Sequence, residues 1–325
     1  MSLYTKICKI EKKTYNYCKI YILHWPRTMI TKKDKIPDAW LTWSFKKDFF
    51  FEVEDQKTRE NPREPKKSLS LFSTDSLSGY GLDLVFQLVQ EAGYDGIDLA
   101  IRKNFDSWKI DYVKKLSENY QLPVKVIQTS DNLNDKEINR AIDLCYELKA
   151  DTITINAPKF FNFKAYNFIT DNIIKWRKEH KSIHFTIITP EDSTVFALPI
   201  PRFRFNNMVE IVKKYLCYVW LDVSNLDSDA FENEFMRKMK DFLPYISVIY
   251  FSDKSRVWET HILPGDWVLK LPTFLKKLKE FWYNRYVSTR IKISKSDLSD
   301  SDKVKLILKK SRNYLKDYYE ELKRE

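Results

Sequence analysis

The sequence predicts an α/β fold: a closed (β/α)8 barrel of TIM type, preceded by an irregular N-terminal extension. Three observations carry this. From Ser68 onward, short apolar runs of strand length alternate with amphipathic stretches of helical spacing. The alternation repeats eight times over about 255 residues, close to the ~250 typical of the closed barrel. The competing doubly wound open sheet has no GxGxxG or GxxxxGK[ST] phosphate loop to support it.

The elements follow in order. Ser68 to Ser73 reads as strand one. The next stretch, Gly81 to Ala100, holds a helix, a turn and a strand in twenty residues. Leu84, Val85, Leu88 and Val89 fall on one helical face, Gly93 supplies the positive φ that ends the helix, and Gly96 to Ala100 forms strand two. Ser107 to Tyr120 is a helix with Ile110, Val113 and Leu116 inward, and Pro123 to Gln128 is strand three. Asp135 to Lys149 is a helix, and Asp151 to Asn156 strand four. Lys164 to Glu179 is a helix carrying Phe168, Ile169, Ile173 and Trp176, and Ile183 to Thr189 strand five. A short helix at Asn206 to Tyr215 leads to strand six, Tyr218 to Val223. Asp229 to Phe242 is a helix, Ile246 to Ser252 strand seven, Leu271 to Trp282 a helix and Tyr286 to Ile293 strand eight. Asp300 to Leu322 is a long final helix.

Residues 1–67 lack such periodicity. Trp40 to Phe45 and Phe49 to Val53 could form two strands, and Glu60 to Lys67 is a charged, proline-containing linker, so a domain boundary is placed at 67/68. The net charge of +11 is uneven: residues 1–70 hold 16 basic and 9 acidic side chains, which is +7 of the total. A solvated extension is the expected reading of that excess, and nucleic acid is not the expected partner. At 43% hydrophobic and 15% aromatic, the 325 residues can build a sizeable core. No apolar run reaches the roughly 18–20 residues needed to cross a bilayer. The cysteines Cys8, Cys18, Cys145 and Cys217 form no CxxC pair, so neither a zinc site nor a disulfide framework is expected. These features point to a cytoplasmic protein.

In such a barrel the active face lies at the C-terminal ends of the strands. The polar residues ending each apolar run are therefore the candidates: Asp75, Asp98, Gln128, Thr129, Asn156, Thr189, Glu191, Asp222, Asn225, Tyr250, Asp253, Arg290 and Lys292. A carboxylate at a strand end is more often a helix cap or loop ion pair than a functional group. Asp222 stands out because Val219-Trp220-Leu221 carries it into the mouth on a rigid strand. His261 is the histidine nearest this face; His180 and His184 flank the start of strand five, at the opposite end.

Four segments, EAGYDGIDL (91–99), VWLDVSNL (219–226), VIYFSD (248–253) followed by Arg256, and HILPGDW (261–267), resemble the xylose isomerase-like barrels of the sugar phosphate isomerase/epimerase superfamily. The resemblance spans roughly residues 68–295 and rests on the order and spacing of motifs that are individually weak. It implies one divalent cation, Mn²⁺, Mg²⁺ or Zn²⁺, held by a Glu ending strand five, an Asp on strand six, a His on strand seven and a Glu on strand eight. It also implies a proton shuttled between carboxylates next to the substrate carbonyl. Asp222 matches the strand-six ligand, and Glu191, or Thr189 two residues before it, falls at the strand-five position. The strand-seven histidine appears as Tyr250, and a second histidine after the strand-six Asp as Asn225. Arg290 or Lys292 occupies the strand-eight region. Arg256 falls where a substrate-binding arginine is implied, and Asp98 stands one methylene short of the implied strand-two glutamate. The three-zinc DNA-repair branch needs more ligand histidines than the four in this chain.

Two readings follow. In one, the barrel acts on or binds a small polyhydroxylated or phosphorylated, carbohydrate-like compound. Glu191 and Asp222 would be the acid/base or metal-holding pair, and Asp98, Asn225, Tyr250, Arg256, His261, Arg290 and Lys292 the substrate contacts. A divalent ion held by two carboxylates beside an inward cation would be repelled, so the site is expected to be altered. In the other, the barrel is catalytically inactive and serves as a binding or scaffold module whose basic extension contacts a partner.

Overall fold

The computed structural model describes residues 68–321, apart from 102, 131–132, 157–162, 189–192, 196–197, 201–211, 213, 216, 227–229, 256–258 and 266–268. The chain divides into two units, Met1–Thr58 and Arg59–Glu325, and every described residue belongs to the second. The aromatic stretch 40–53 and the linker 60–67 lie outside the described residues, so the 67/68 boundary stays a proposal.

Eight parallel strands close into a barrel: β1 Leu69–Ser73, β2 Gly96–Ala100, β3 Val124–Gln128, β4 Thr152–Ile155, β5 His184–Ile188, β6 Tyr218–Asp222, β7 Ile246–Phe251 and β8 Tyr286–Thr289. Each pairs with its sequence neighbour, and β1 on β8, with Leu69 opposite Tyr286, seals the ring. The expected closed (β/α)8 architecture is therefore what the chain forms. Period-two alternation divides the apolar residues into two clusters. An inner one fills the barrel with Leu71, Val126, Ile188, Trp220, Val248 and Tyr250. A larger one lies between strands and helices.

The longer helices among the described residues are α1 Leu82–Ala92, α2 Ile110–Asn119, α3 Asp135–Leu148, α4 Phe163–Glu179, α5 Met236–Phe242, α6 Leu271–Glu280 and α7 Ser301–Leu315. In α1 the buried face is Leu82, Val85, Phe86, Leu88, Val89 and Ala92. Leu84, expected inward, is 36% exposed: Phe86 takes that place, and burying such a ring gains about 1.5–3 kcal/mol. Gly93 ends α1 in the left-handed region at φ 83°, as its position predicts. α2 starts three residues later than expected. Ser107 is held in a turn by its bond to the Asn104 carbonyl, and Asp106 caps α1 by accepting from the Leu82 amide. α5 follows a π-helical turn at Ala230–Phe235, and α7 gives way to another at Lys316–Glu320. Of the helix expected at 206–215, only Val212, Lys214 and Tyr215 are described, and they are helical. No helix among the described residues is long and apolar enough to cross a membrane.

The interior is lopsided. Alternation places Thr152, Thr154 and Thr186 on the inner face of β4 and β5, while β6 and β7 contribute Trp220 and Tyr250. These two rings meet edge-on at 4.1 Å between centroids. Small residues on one wall leave room for two large rings from the other, so the barrel is packed rather than hollow. Whatever approaches from the C-terminal end meets those rings.

Candidate functional site

Strand β8 stops at Thr289, four residues short of the expected end, because the chain leaves the sheet. The Ile291 amide donates to Ser76 Oγ at 2.9 Å, and the Lys292 amide to the His261 carbonyl at 2.6 Å. Arg290 is thereby carried over the mouth. Its guanidinium carbon lies 5.3 Å from the Tyr250 ring centroid and 5.9 Å from that of Trp220. Nε and Nη2 both donate to Asp75 Oδ2, at 3.0 and 2.6 Å, and Nη1 is 3.7 Å from Asp222 Oδ2. Lys103 reaches the other Asp75 oxygen at 3.1 Å. Burial works to raise the Asp75 pKa, but the charges of Arg290 and Lys103 outweigh it and hold the carboxyl below its ordinary value. Burial likewise disfavours the charged guanidinium, and Asp75, Tyr250 and Asp222 more than restore it.

Asp222, fully buried, ends β6. Its Oδ1 accepts from the Ser224 amide at 3.2 Å and the Ser224 hydroxyl at 2.8 Å. The same hydroxyl lies 2.6 Å from His261 Nδ1. Since the hydroxyl proton is committed to Asp222, His261 Nδ1 is the donor in that pair. His261 Nε2 lies 3.6 Å from Asp222 Oδ2. The histidine arrives on the second strand of a small hairpin, Asp253–Lys254 with Thr260–Ile262, after β7.

Asp98 sits deeper, inside the barrel. Oδ1 accepts from Gln128 Nε2 at 2.9 Å and Oδ2 from Ser288 Oγ at 2.8 Å, while Gln128 Nε2 also reaches Ser73 Oγ at 2.7 Å. Burial pushes its pKa up to about 6, against the pull of Tyr250, Gln128, Ser288 and Arg290. The Tyr250 hydroxyl lies close enough to feel that carboxylate, which with burial raises the phenol well above its ordinary value, yet it falls short of hydrogen-bond geometry. Trp220 Nε1 is buried without a hydrogen-bond partner as well. The mouth thus holds a fixed cation, a buried carboxyl that exchanges its proton near neutrality, and two unmatched donors.

The structure brings Asp98, Gln128, Asp222, Tyr250, His261 and Arg290 together. Asn225 is buried in the 3-10 turn after β6. Lys292 does not join them; its side chain is exposed and its Nζ reaches Thr260 Oγ1 at 3.5 Å. Thr129 and Asn156 tie the ends of β3 and β4 to each other. Glu191, Thr189 and Arg256 lie outside the described residues. Ser73, Ser288 and Lys103 belong to the network although the sequence did not single them out. Period-two alternation would have placed both serines inward; Lys103, on the loop after β2, carried no signal. Among the described residues, no three His, Cys, Asp or Glu side chains converge as a metal site. A shallow groove of about 590 Å³ lies elsewhere, where Tyr112 of α2 meets Arg140 of α3, and gathers none of these groups.

No protein-family profile and no curated protein matches the chain. Solved structures do. A xylose isomerase domain-containing protein from Salmonella typhimurium superposes with TM-score 0.60 at 12% identity, over 78% of this chain and 99% of its own. A D-allulose 3-epimerase from Methylomonas sp., solved with D-allulose, gives 0.57 at 15%, over 78% and 98%. A 3-keto-D-glucoside 4-epimerase from E. coli gives 0.55 at 12%, over 74% and 98%. At such identities the shared property is architecture: the chain has the fold of the xylose isomerase-like TIM barrels.

Proposed function

We propose that the C-terminal mouth binds a small polyhydroxylated or phosphorylated compound and organises it around a guanidinium instead of a divalent cation. The single observation behind this is Arg290, held over Trp220 and Tyr250 between Asp75 and Asp222, with 21% of its side chain still exposed. A guanidinium in that position can donate to ligand hydroxyl, carbonyl or phosphoryl oxygens, and Asp98 can accept from a hydroxyl. The names of the solved neighbours, epimerases of allulose and of a keto-glucoside, support a carbohydrate-like ligand.

The donor set does not fit the cation that the resemblance implies. Tyr250 offers a phenol whose proton is held more tightly than usual, and Arg290 brings positive charge to the strand-eight position. Asp222 Oδ2 already faces both Arg290 and His261. A divalent ion about 4 Å from a guanidinium meets repulsion on the order of 8 kcal/mol at an effective dielectric of about 20. In the enzymatic form of this reading, Arg290 polarises a substrate oxygen while Asp222 and Glu191 move the proton at the neighbouring carbon.

The alternative, an inactive barrel kept as a binding module with residues 1–67 contacting a partner, draws on the same geometry. Arg290 is spent on Asp75 and Asp222, as in a structural ion web. Thermal-shift screening of sugars and sugar phosphates, with and without Mn²⁺, Mg²⁺ or Zn²⁺, tests the proposal. The expected result is a ligand that binds without metal and at least tenfold more weakly to Arg290→Met. Tight Mn²⁺ binding by the wild type, with activity that requires it, overturns it. Turnover of the bound ligand, followed by NMR, separates the enzyme from the module.

A further inference from the structure

The opposite end of the barrel holds a second cationic cluster that the mouth does not use. Tyr218 opens β6, His184 opens β5, Arg285 immediately precedes β8, and Arg177 lies in the last turn of α4. The Arg285 guanidinium carbon is 4.9 Å from the Tyr218 ring centroid and that of Arg177 5.7 Å, while the His184 ring lies 4.6 Å away. All four side chains are half-buried. Neither arginine is within ion-pair distance of a carboxylate among the described residues. The carboxylate of this region, Asp151, accepts from Tyr286 Oη at 2.6 Å on one oxygen and from Thr152 Oγ at 2.8 Å on the other.

The protonation of His184 follows from its partner. Arg285 Nη1 lies 2.8 Å from His184 Nδ1, and a guanidinium can only donate. Nδ1 must therefore be the acceptor and the ring proton sits on Nε2, a neutral state that burial and the charge of Arg285 favour down to a pKa of about 4. The His184 Nε2–H has no hydrogen-bond partner within the protein among the described residues. Two guanidiniums on one ring, with a neutral N–H donor beside them and the nearby Asp151 carboxylate taken up by Tyr286 and Thr152, form a receptor for an oxyanion.

We propose that the N-terminal end of the barrel binds a small oxyanion, inorganic phosphate or the phosphoryl group of a small metabolite, between Arg177, Arg285 and His184. The strands are four to six residues long, so this site lies roughly 15 Å from Arg290 and is independent of the reading of the mouth.

Calorimetric titration of the full chain with inorganic phosphate, at ionic strength matched with chloride, tests it. Saturable binding is expected in the wild type and also in Arg290→Met. Arg177→Met and Arg285→Met should each weaken it at least tenfold. If Arg285→Met fails to fold, Arg177→Met, on a half-buried helical position, carries the test with Arg177→Lys as partial rescue. Binding that does not saturate, or that disappears with Arg290→Met and survives both other changes, overturns the proposal. A single-stranded oligonucleotide that displaces phosphate at a hundredfold lower concentration also overturns it, since the ligand would then be a polyanion.

Discussion

The two ends of this barrel use the same device and close it differently. At the C-terminal end a guanidinium lies over Trp220 and Tyr250 and is held by Asp75 and Asp222. At the N-terminal end two guanidiniums lie on Tyr218 beside a neutral imidazole, with no carboxylate in ion-pair distance among the described residues. An aromatic ring positions an arginine, but it supplies only a quadrupole. What the arginine then does depends on whether acids or solvent complete its shell. In the first arrangement two acids hold the charge in place; in the second no acid among the described residues does.

The largest expected effect comes from opening the acid-held end. Asp75→Ala leaves Arg290 with only the longer 3.7 Å contact to Asp222 and should destabilise the protein by about 3 kcal/mol, because removing the closer partner of a largely buried pair leaves its charge poorly compensated. Arg177→Met at the other end should change stability by less than about 1 kcal/mol. Urea denaturation of both variants measures the contrast, and equal losses would break it.

Next comes pH, where the two ends have opposite signs. Asp98 has a folded pKa of about 6 against an ordinary value of 3.8, so between those values the folded chain holds a proton that the unfolded chain has released. Its contribution is present below about pH 4 and is lost as pH rises through 6, up to about 3 kcal/mol. His184 falls from 6.5 to about 4, so the unfolded chain takes up a proton that the folded chain refuses. Its contribution is present above about pH 6.5 and is lost as pH falls toward 4. Asp98→Asn should therefore gain on the wild type from pH 4 to 7, and His184→Phe should gain from pH 6.5 down to 4. Stability curves that move in the same direction would show that one of these environments is misassigned.

The smallest effect sharpens the comparison at a single atom. Tyr250→Phe removes a buried hydroxyl without a hydrogen-bond partner and should be neutral or stabilising by about 1 kcal/mol in denaturant melts. Because that hydroxyl also helps to hold Asp98 down, the variant's acid titration should move to higher pH.

The sequence made the scaffold legible because strands and helices announce themselves by period. It showed Asp98, Asp222, Tyr250 and Arg290 as inward-facing strand-end residues for the same reason. It could not show where β8 would leave the sheet: that is decided by Ser76, more than 200 residues away, and by the His261 carbonyl. Nor could it show that Ser224 links Asp222 to His261, a contact between loops 37 residues apart. Lys292 looked equivalent to Arg290 by type and position. Its Nζ instead reaches Thr260 on the exposed rim, because the strand had already ended. Loop geometry follows from tertiary contacts with no local pattern, and so the sequence did not separate the buried Arg290 from the exposed Lys292.

One feature at the mouth sets how it can move. Asp253 accepts from the amides of Lys254 and Leu269 on one oxygen and of Gly265 on the other. Gly265 adopts φ 95°, and a Cβ there would sit 2.5 Å from the Tyr314 ring. One carboxylate thus gathers both ends of its own loop, against a ring from the final helix. A pin of this kind makes motion cooperative: the bonds release together or not at all. The arc that Asp253 ties down beside β7 is thus a plate fixed to the frame, which opens by local unfolding instead of fast fluctuation.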